Sequence, residues 1–463
     1  MRKRLLALSV AALTVTALPA GSAYAVDPTP SPSQSQSPTT TPSATPSVTP
    51  TPTPTPTPNK PRTCSIRKVA TAADLAYFYG YAVNARTGEV YLNIRGDVQT
   101  PSASVMKVVT AAAAIATLPT TYQAQTTVWS VPTEPGTIVL VGGGDHTLSR
   151  LNYPSYTTYK KPAKLKALAD AVLPTIPAGT VINKIILDAS FFDQPSWNNA
   201  WKASDRTNGY ISLITGLQVD SDRANPDLTD RAYSGYRSKN PVLSAGKYFK
   251  AALGEVAKAA TLVEAKLPAG SVQITSANSQ PITVWLDHAL KYSDNTETEF
   301  IAKHTLKYLN KTTSYSNIQK SFAAALKPLK IDTKKLVMLD GSGLAQGNRV
   351  TAKLITQLMA KSADATSPVA AMFNYLPVSG VSGTLSARFN GANKAARGAV
   401  HAKSGYIPGL YSLAGIVMAK DGTPIAFAGF ARSEGGKQVG YGARAALDTL
   451  AARFYECGSG SYY

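Results

Sequence analysis

The chain has 463 residues and a formal charge of +20, with two cysteines and four histidines. Two cysteines and scattered histidines give no metal-ligand spacing, so neither a metal nor a cofactor is expected. The positive charge points to anionic surroundings, and with no basic-aromatic motif for nucleic acid these are expected to be anionic polymers or lipid headgroups; a soluble surface that happens to be basic is the alternative.

Met1-Arg-Lys-Arg4 is basic, Leu5 to Leu18 is apolar, and Ala23-Tyr-Ala25 is a small-residue cleavage pattern. Residues 1–25 therefore read as a secretory signal peptide cut near Ala25, and the protein as secreted or extracytoplasmic. The apolar run is short for an uncleaved anchor, and no later run is long and apolar enough to span a bilayer. Residues 26–61 are almost wholly Pro, Thr, Ser and Gln, with Thr-Pro repeats from Thr49 to Pro58. Such a segment has nothing apolar to bury and reads as an extended tether, with its glycosylation open.

The remainder, roughly 400 residues, is enough for two or three domains. Cys64 and Cys457 stand at its two ends, leaving a short tail at 458–463. In an exported chain they are expected to pair as a disulfide that pins the ends together; two unrelated thiols are the alternative.

Phe78 to Val83 and Glu89 to Ile94, joined by Asn84-Ala-Arg-Thr-Gly88, predict a hairpin. Pro101-Ser-Ala-Ser104-Val-Met-Lys107 then runs into the apolar stretch Val108 to Leu118, a buried helix. Ser104 falls in its first turn, where backbone N–H groups favour developing negative charge. Lys107 shares its face. A serine hydroxyl needs a neighbouring base to become a nucleophile, and a desolvated lysine can have its pKa lowered enough to serve. Alone this pattern is weak: Ser65-Lys68 and Ser244-Lys247 repeat it by chance, and Ser104 reads equally well as a helix cap beside a solvated lysine.

Two later motifs add weight. Ser293-Asp-Asn295 precedes an amphipathic stretch from Glu299 to Leu309, and Lys403-Ser404-Gly405-Tyr406 lies in a predicted strand. Ser-x-x-Lys, Ser-x-Asn and Lys-Thr/Ser-Gly in this order are the acylation set of penicillin-binding proteins and class A β-lactamases. With Gly142-Gly-Gly-Asp145-His-Thr-Leu148, Asp340-Gly-Ser-Gly-Leu344, Asn348-Arg-Val-Thr351 and Gly383-Thr-Leu-Ser-Ala-Arg-Phe389, the region from Cys64 to Cys457 resembles the D-alanyl-D-alanine carboxypeptidases/endopeptidases among the low-molecular-mass, class C penicillin-binding proteins.

Far more residues separate Ser104 from Ser293 than Ser293 from Lys403, so something is inserted between the first two motifs. The expected architecture is α/β (α+β). A discontinuous penicillin-binding, transpeptidase-like core, 62–125 and 277–457, has an antiparallel sheet flanked by helices, with Lys403 on an edge strand. One or two mainly β inserted domains occupy 126–276, with strand-like runs at Gly136 to Val141 and Val181 to Leu187. Pro424 to Phe430 reads as a further strand and Gly442 to Tyr455 as a closing helix.

The resemblance implies a serine-type D-Ala-D-Ala carboxypeptidase, with endopeptidase action also open, that trims peptidoglycan stem peptides and is acylated by β-lactam antibiotics. Lys107 would deprotonate Ser104, Ser293 would relay a proton to the leaving D-alanine, and Asn295 would hold the substrate amide. Lys403 and Ser404 would grip the terminal carboxylate, while the N–H groups of Ser104 and Tyr406 would form the oxyanion hole. Three positions depart from the family pattern: Ser404 for threonine, Tyr406 for a small threonine, and His146 for proline. A β-lactamase would need a deacylating base, and no Glu-x-x-Leu-Asn segment supplies one. A non-catalytic wall-binding protein is the other alternative.

Overall fold

The computed structural model describes residues 63–152, 157–226 and 235–463. The signal peptide and tether expected at 1–25 and 26–61 lie outside the described residues. No helix among the described residues is long and apolar enough to cross a membrane.

The predicted hairpin is Tyr77–Asn84 paired antiparallel with Val90–Ile94. Its turn is set by Asn84, whose Oδ1 accepts from the N–H groups of Arg86 and Thr87, and by Gly88 at φ +77; a left-handed residue there favours glycine. A meander of three antiparallel strands, Val400–Ile407, Leu410–Met418 and Pro424–Arg432, lies beside it. Ala85 N donates to Pro424 O at 2.8 Å, linking the hairpin's turn to the last of these strands. Val400–Ile407 is the outer strand of the meander, bridged at His401 to Val378, and Lys403 sits on it.

Apolar layers cover both faces of this sheet. On one side the closing helix Gly442–Cys457 packs with Leu447, Leu450 and Phe454 against Leu413, Val417 and Phe427. On the other, the helix Met106–Thr117 lies at the centre of the largest core. Met106 to Ala114 are all buried, so this part of the helix is enclosed on every side, as a core helix is. Small side chains there let three neighbours approach closely: Ile282–Tyr292, Asn295–Tyr308 and Ile318–Leu326.

Between these halves the chain forms a second sheet in the order Thr261–Glu264, Lys184–Asp188, Thr137–Val141, Gln125–Ser130, Val272–Asn278. The first three pair in parallel, which requires crossover segments. Helices Leu165–Val172 and Pro241–Leu253 accordingly lie against one face, burying Leu168, Val172 and Phe249 with Val128, Leu140 and Leu187. The strand-like runs near 136–141 and 181–187 are adjacent strands of this sheet, with the helices beside them. Parallel pairing leaves no alternating pattern to announce the strands' bounds. The entering and leaving strands, Gln125–Ser130 and Val272–Asn278, pair with each other, and Ser279 N donates to Ala124 O at 2.8 Å. Part of the insert leaves its own sheet altogether: Phe192, Trp201, Ile211 and Ile214 join the core around the Met106–Thr117 helix.

Cys64 and Cys457 form a disulfide with Cα atoms 5.4 Å apart, and Cys64–Ser65 pairs in parallel with Ser461–Tyr462. The bridge closes a loop of 393 residues. Restricting the unfolded chain over so long a loop stabilises the fold. Reduction, or Cys64→Ser, is expected to lower stability by roughly 2–5 kcal/mol, read as a fall in melting temperature between matched oxidised and reduced scans.

Candidate active site

The chain approaches the Met106–Thr117 helix through a short 3-10 turn, Ala103–Val105. Ala103 is at φ 45, a left-handed conformation costly for a residue with a Cβ. Gly343, also left-handed, lies so close to the Ala103 carbonyl that no larger residue fits. This bend leaves Ser104 half-buried at the helix start while its neighbours Ala103 and Val105 are buried.

Lys107, one turn on, is fully buried. Its ammonium nitrogen lies 3.1 Å from Ser104 Oγ, 2.6 Å from Asn295 Oδ1 and 2.7 Å from the Ser342 carbonyl. Burial pushes its pKa down to about 8, against the opposing pull of the Asp340, Glu299 and Asp294 carboxylates.

The Asp340–Leu344 segment is shaped for this contact. Asp340 accepts from Gly343 N, Ala345 N, Asn348 Nδ2 and Trp201 Nε1, which folds the segment around one carboxylate. Glu299 accepts from Gly341 N at 3.1 Å and Ser342 N at 2.7 Å, aiming the Ser342 carbonyl at Lys107. Burial and the nearby Asp340 charge push Glu299 up to about 8. Glu299 is four residues after Asn295 on the same helix face, so its reach into the site was readable as helical spacing. Trp201 and Tyr210, which come from the insert, gave no such signal.

Ser293 and Asn295 meet at a joint between two helices. Ser293 closes Ile282–Tyr292 in the left-handed region at φ 62, Asp294 caps Asn295–Tyr308, and Asn295 is the first residue of that helix. Ser293 Oγ accepts from Lys403 Nζ at 2.8 Å. Asn295 receives Lys107 at Oδ1 and donates through Nδ2 to the Tyr210 carbonyl at 3.0 Å.

Lys403 is fully buried, and its other bond is to the Ser404 carbonyl at 2.9 Å. Burial, with the Lys107 and Arg388 cations nearby, pushes it well below the ordinary lysine range. Its ammonium is thus turned inward onto Ser293. The next hydroxyl outward is Ser404 Oγ, 2.9 Å from Thr384 Oγ1 in the segment Gly383–Leu385. Tyr406 is exposed and its ring lies 4.8 Å from that of Tyr411, its partner on the adjoining strand. His146 is buried in the insert, where it packs against the rings of Trp285, Tyr159 and Phe300 and bonds Ser221 Oγ, a structural place rather than one beside Ser104.

Gly405 lets the edge strand approach Ser104. A Cβ at this position would stand 3.0 Å from Ser104 N and overlap Ser412 Oγ. Gly405→Ala is therefore expected to push the two apart and slow acylation of Ser104 at least about tenfold, since displacements near 1 Å cost on the order of 100-fold. A time course with a fluorescent penicillin at several concentrations checks this. An unchanged rate would mean the approach is not used.

Against known proteins, a family model described as the D-Ala-D-Ala carboxypeptidase 3 (S13) family matches residues 65–236 and 230–454. The chain is 33% identical over 391 residues to carboxypeptidase DacB of Mycolicibacterium smegmatis, covering 84% of this chain and 82% of that protein. It is 31% identical over 400 residues to carboxypeptidase Rv3627c of Mycobacterium tuberculosis, covering 86% and 84%. Among solved structures, penicillin-binding protein 4 (dacB) of Haemophilus influenzae superposes with a TM-score of 0.68 at 18% identity, covering 84% of this chain and 97% of that one.

Proposed function

The chain belongs to the D-Ala-D-Ala carboxypeptidase 3 (S13) family, and from that premise we propose how its residues divide the work of a serine D-Ala-D-Ala carboxypeptidase/endopeptidase. The observation that carries the assignment is the contact of Ser104 Oγ with a lysine that has no exposed surface and a pKa pushed down to about 8. Such an amine is substantially neutral near pH 8 and can accept a proton.

Ser104 Oγ attacks the carbonyl carbon between the two D-alanines as Lys107 takes its proton. The tetrahedral oxyanion lies between the N–H groups of Ser104 and Tyr406, each worth about 3 kcal/mol when aimed in advance. Ser293, made more acidic by Lys403 at 2.8 Å, hands a proton to the departing D-alanine nitrogen and is reprotonated from the lysines. The C–N bond breaks, leaving an ester on Ser104 that water hydrolyses in the reverse proton sequence.

Asn295 aligns Lys107 through Oδ1, and its second amide hydrogen is offered to the substrate's peptide carbonyl. The substrate carboxylate is held by the hydroxyls of Ser404 and Thr384. Arg388 nearby is paired with Asp448, so the positive potential behind them falls to Lys403. Lys403 hydrogen-bonds the oxygens of Ser293 and Ser404; burial holds it toward the neutral amine, and an incoming carboxylate draws it to the ammonium. The substrates are peptidoglycan stem peptides, and β-lactams acylate the same serine because they present a carboxylate and a strained amide at matching positions.

Residues 62–125 and 277–457 form the catalytic part and 126–276 the insert. Residues 1–25 export the chain and 26–61 tether it; the formal charge of +20, less the three of Arg2, Lys3 and Arg4 that leave with the signal, becomes +17 and favours anionic wall polymers around it. The deciding experiment is incubation of the purified chain with a fluorescent penicillin, followed by peptide mass mapping. A slowly hydrolysed adduct on Ser104 supports the assignment, and folded protein without an adduct overturns it.

A further inference from the structure

The joint that carries Ser293 and Asn295 is gripped from the insert. Asp294, fully buried between them, accepts from Glu297 N at Oδ1 (3.1 Å) and, at Oδ2, from Arg223 Nη2 (3.1 Å) and Tyr159 OH (3.2 Å). Arg223 and Tyr159 both belong to the insert. Tyr159 OH lies 2.5 Å from Ser221 Oγ, which lies 2.8 Å from His146 Nδ1. On the far side, Glu297 bonds His288 Nδ1 at 2.6 Å.

The segment that brings Arg223 here is strained. Asp220, Ser221 and Asp222 have φ of 51, 51 and 55, three successive left-handed residues, none of them glycine. Left-handed residues with a Cβ normally occur singly because each is sterically unfavourable. The conformation is held from both sides: Asp220 N donates to Leu148 O, Ser221 N to His146 O, and the Asp222 carboxylate accepts from Ser238 N and Oγ. Strain kept at this level marks places where the surroundings enforce a position. What is positioned is a guanidinium on the residue between Ser293 and Asn295.

We propose that the insert segment Asp220–Arg223 is a clamp, and that Arg223 and Tyr159 are positioning residues acting through Asp294. The clamp fixes Ser293 Oγ against Lys403 and Asn295 against Lys107. The Tyr210 carbonyl, receiving Asn295 Nδ2, is its second point of contact. This rests on the reading of Ser293 and Asn295 as parts of the reacting site. It gives the insert a part in the chemistry through geometry alone.

The test uses the full chain and four variants: Arg223→Met, Tyr159→Phe, the double variant Arg223→Met/Asp294→Asn, and Ser104→Ala. For each, the acylation rate with a fluorescent penicillin, kcat and KM on a D-Ala-D-Ala peptide, and the melting temperature are measured. Arg223→Met is expected to lower kcat and the acylation rate about 100-fold with KM within about twofold, the effect of displacing groups by about 1 Å. Tyr159→Phe, which removes one hydroxyl, is expected to lower them about three- to tenfold. The double variant removes the unpaired buried charge and so regains melting temperature, but it leaves the joint ungripped and stays slow.

A double variant that regains both stability and rate would make Arg223 a mere counter-charge and overturn the clamp. So would Arg223→Met acylating within twofold of wild type. Should Arg223→Met fail to fold, Tyr159→Phe decides: a rate within twofold of wild type at unchanged stability overturns the clamp. Labelling that survives in Ser104→Ala overturns the reading of the site itself, whatever the Arg223 result.

Discussion

Ser104→Ala is expected to remain folded, to lose kcat on D-Ala-D-Ala peptides by at least about four orders of magnitude, and to take up no fluorescent penicillin. The structure makes this more than a formality, because the site holds two serine–lysine pairs. Ser293 Oγ is closer to Lys403 than Ser104 Oγ is to Lys107, 2.8 against 3.1 Å. Two features favour Ser104. It is half-buried where Ser293 is buried, so a substrate carbonyl can reach it. It also lies in the turn just before a helix of 12 residues, whose positive N-terminal end favours the charge that forms on attack. Stability should change by no more than about 1 kcal/mol, since one partly exposed hydrogen bond is removed. Adduct mapped to Ser293 in the variant would exchange the roles of the two serines.

Lys107→Met and Lys107→Arg are both expected to lower the acylation rate by about 10³- to 10⁴-fold, the range for loss of a positioned general base. Arginine is the informative replacement, because it keeps the charge and cannot give up its proton. The wild-type rate should rise with pH. Lys107 acts as the neutral amine, and burial pushes its pKa down to about 8, so each unit below pH 8 costs about tenfold and the profile levels above it. Glu299, pushed up to about 8 by burial and Asp340, titrates in the same range, so the limb reports the pair. A flat profile from pH 6 to 9, or an active arginine variant, would show that only the positive charge of Lys107 is needed.

The elements that carry the motifs were readable because they are local. Alternation gave the hairpin at Tyr77–Asn84 and Val90–Ile94, and an alanine-rich apolar run gave Met106–Thr117. Motif order gave the family and the Cys64–Cys457 pairing followed from exported context. What could not be read is what holds the motifs in place. The Ser342 carbonyl reaches Lys107 across 235 residues and the Tyr210 carbonyl reaches Asn295 across 85, and both are backbone atoms that no residue type announces. Asn295 and Lys403 illustrate the limit from the other direction. Residue type and motif suggested contacts with substrate, yet in the folded chain each first meets another motif: Asn295 meets Lys107, and Lys403 meets Ser293. The bounds and parallel order of the insert's strands were not legible, because buried parallel strands lack the alternation by which sheets are recognised.

The insert enters and leaves on two paired strands, Gln125–Ser130 and Val272–Asn278, with Ala124 and Ser279 joined by a hydrogen bond. As a matter of chain path it is a cassette: a short turn between those two strands would excise it without stretching the rest. Trp201 on Asp340 and Tyr210 on Asn295 work against such an excision, since each is a thread from the cassette stitched into the catalytic half. Module boundaries drawn by topology and by chemistry therefore do not coincide in this chain.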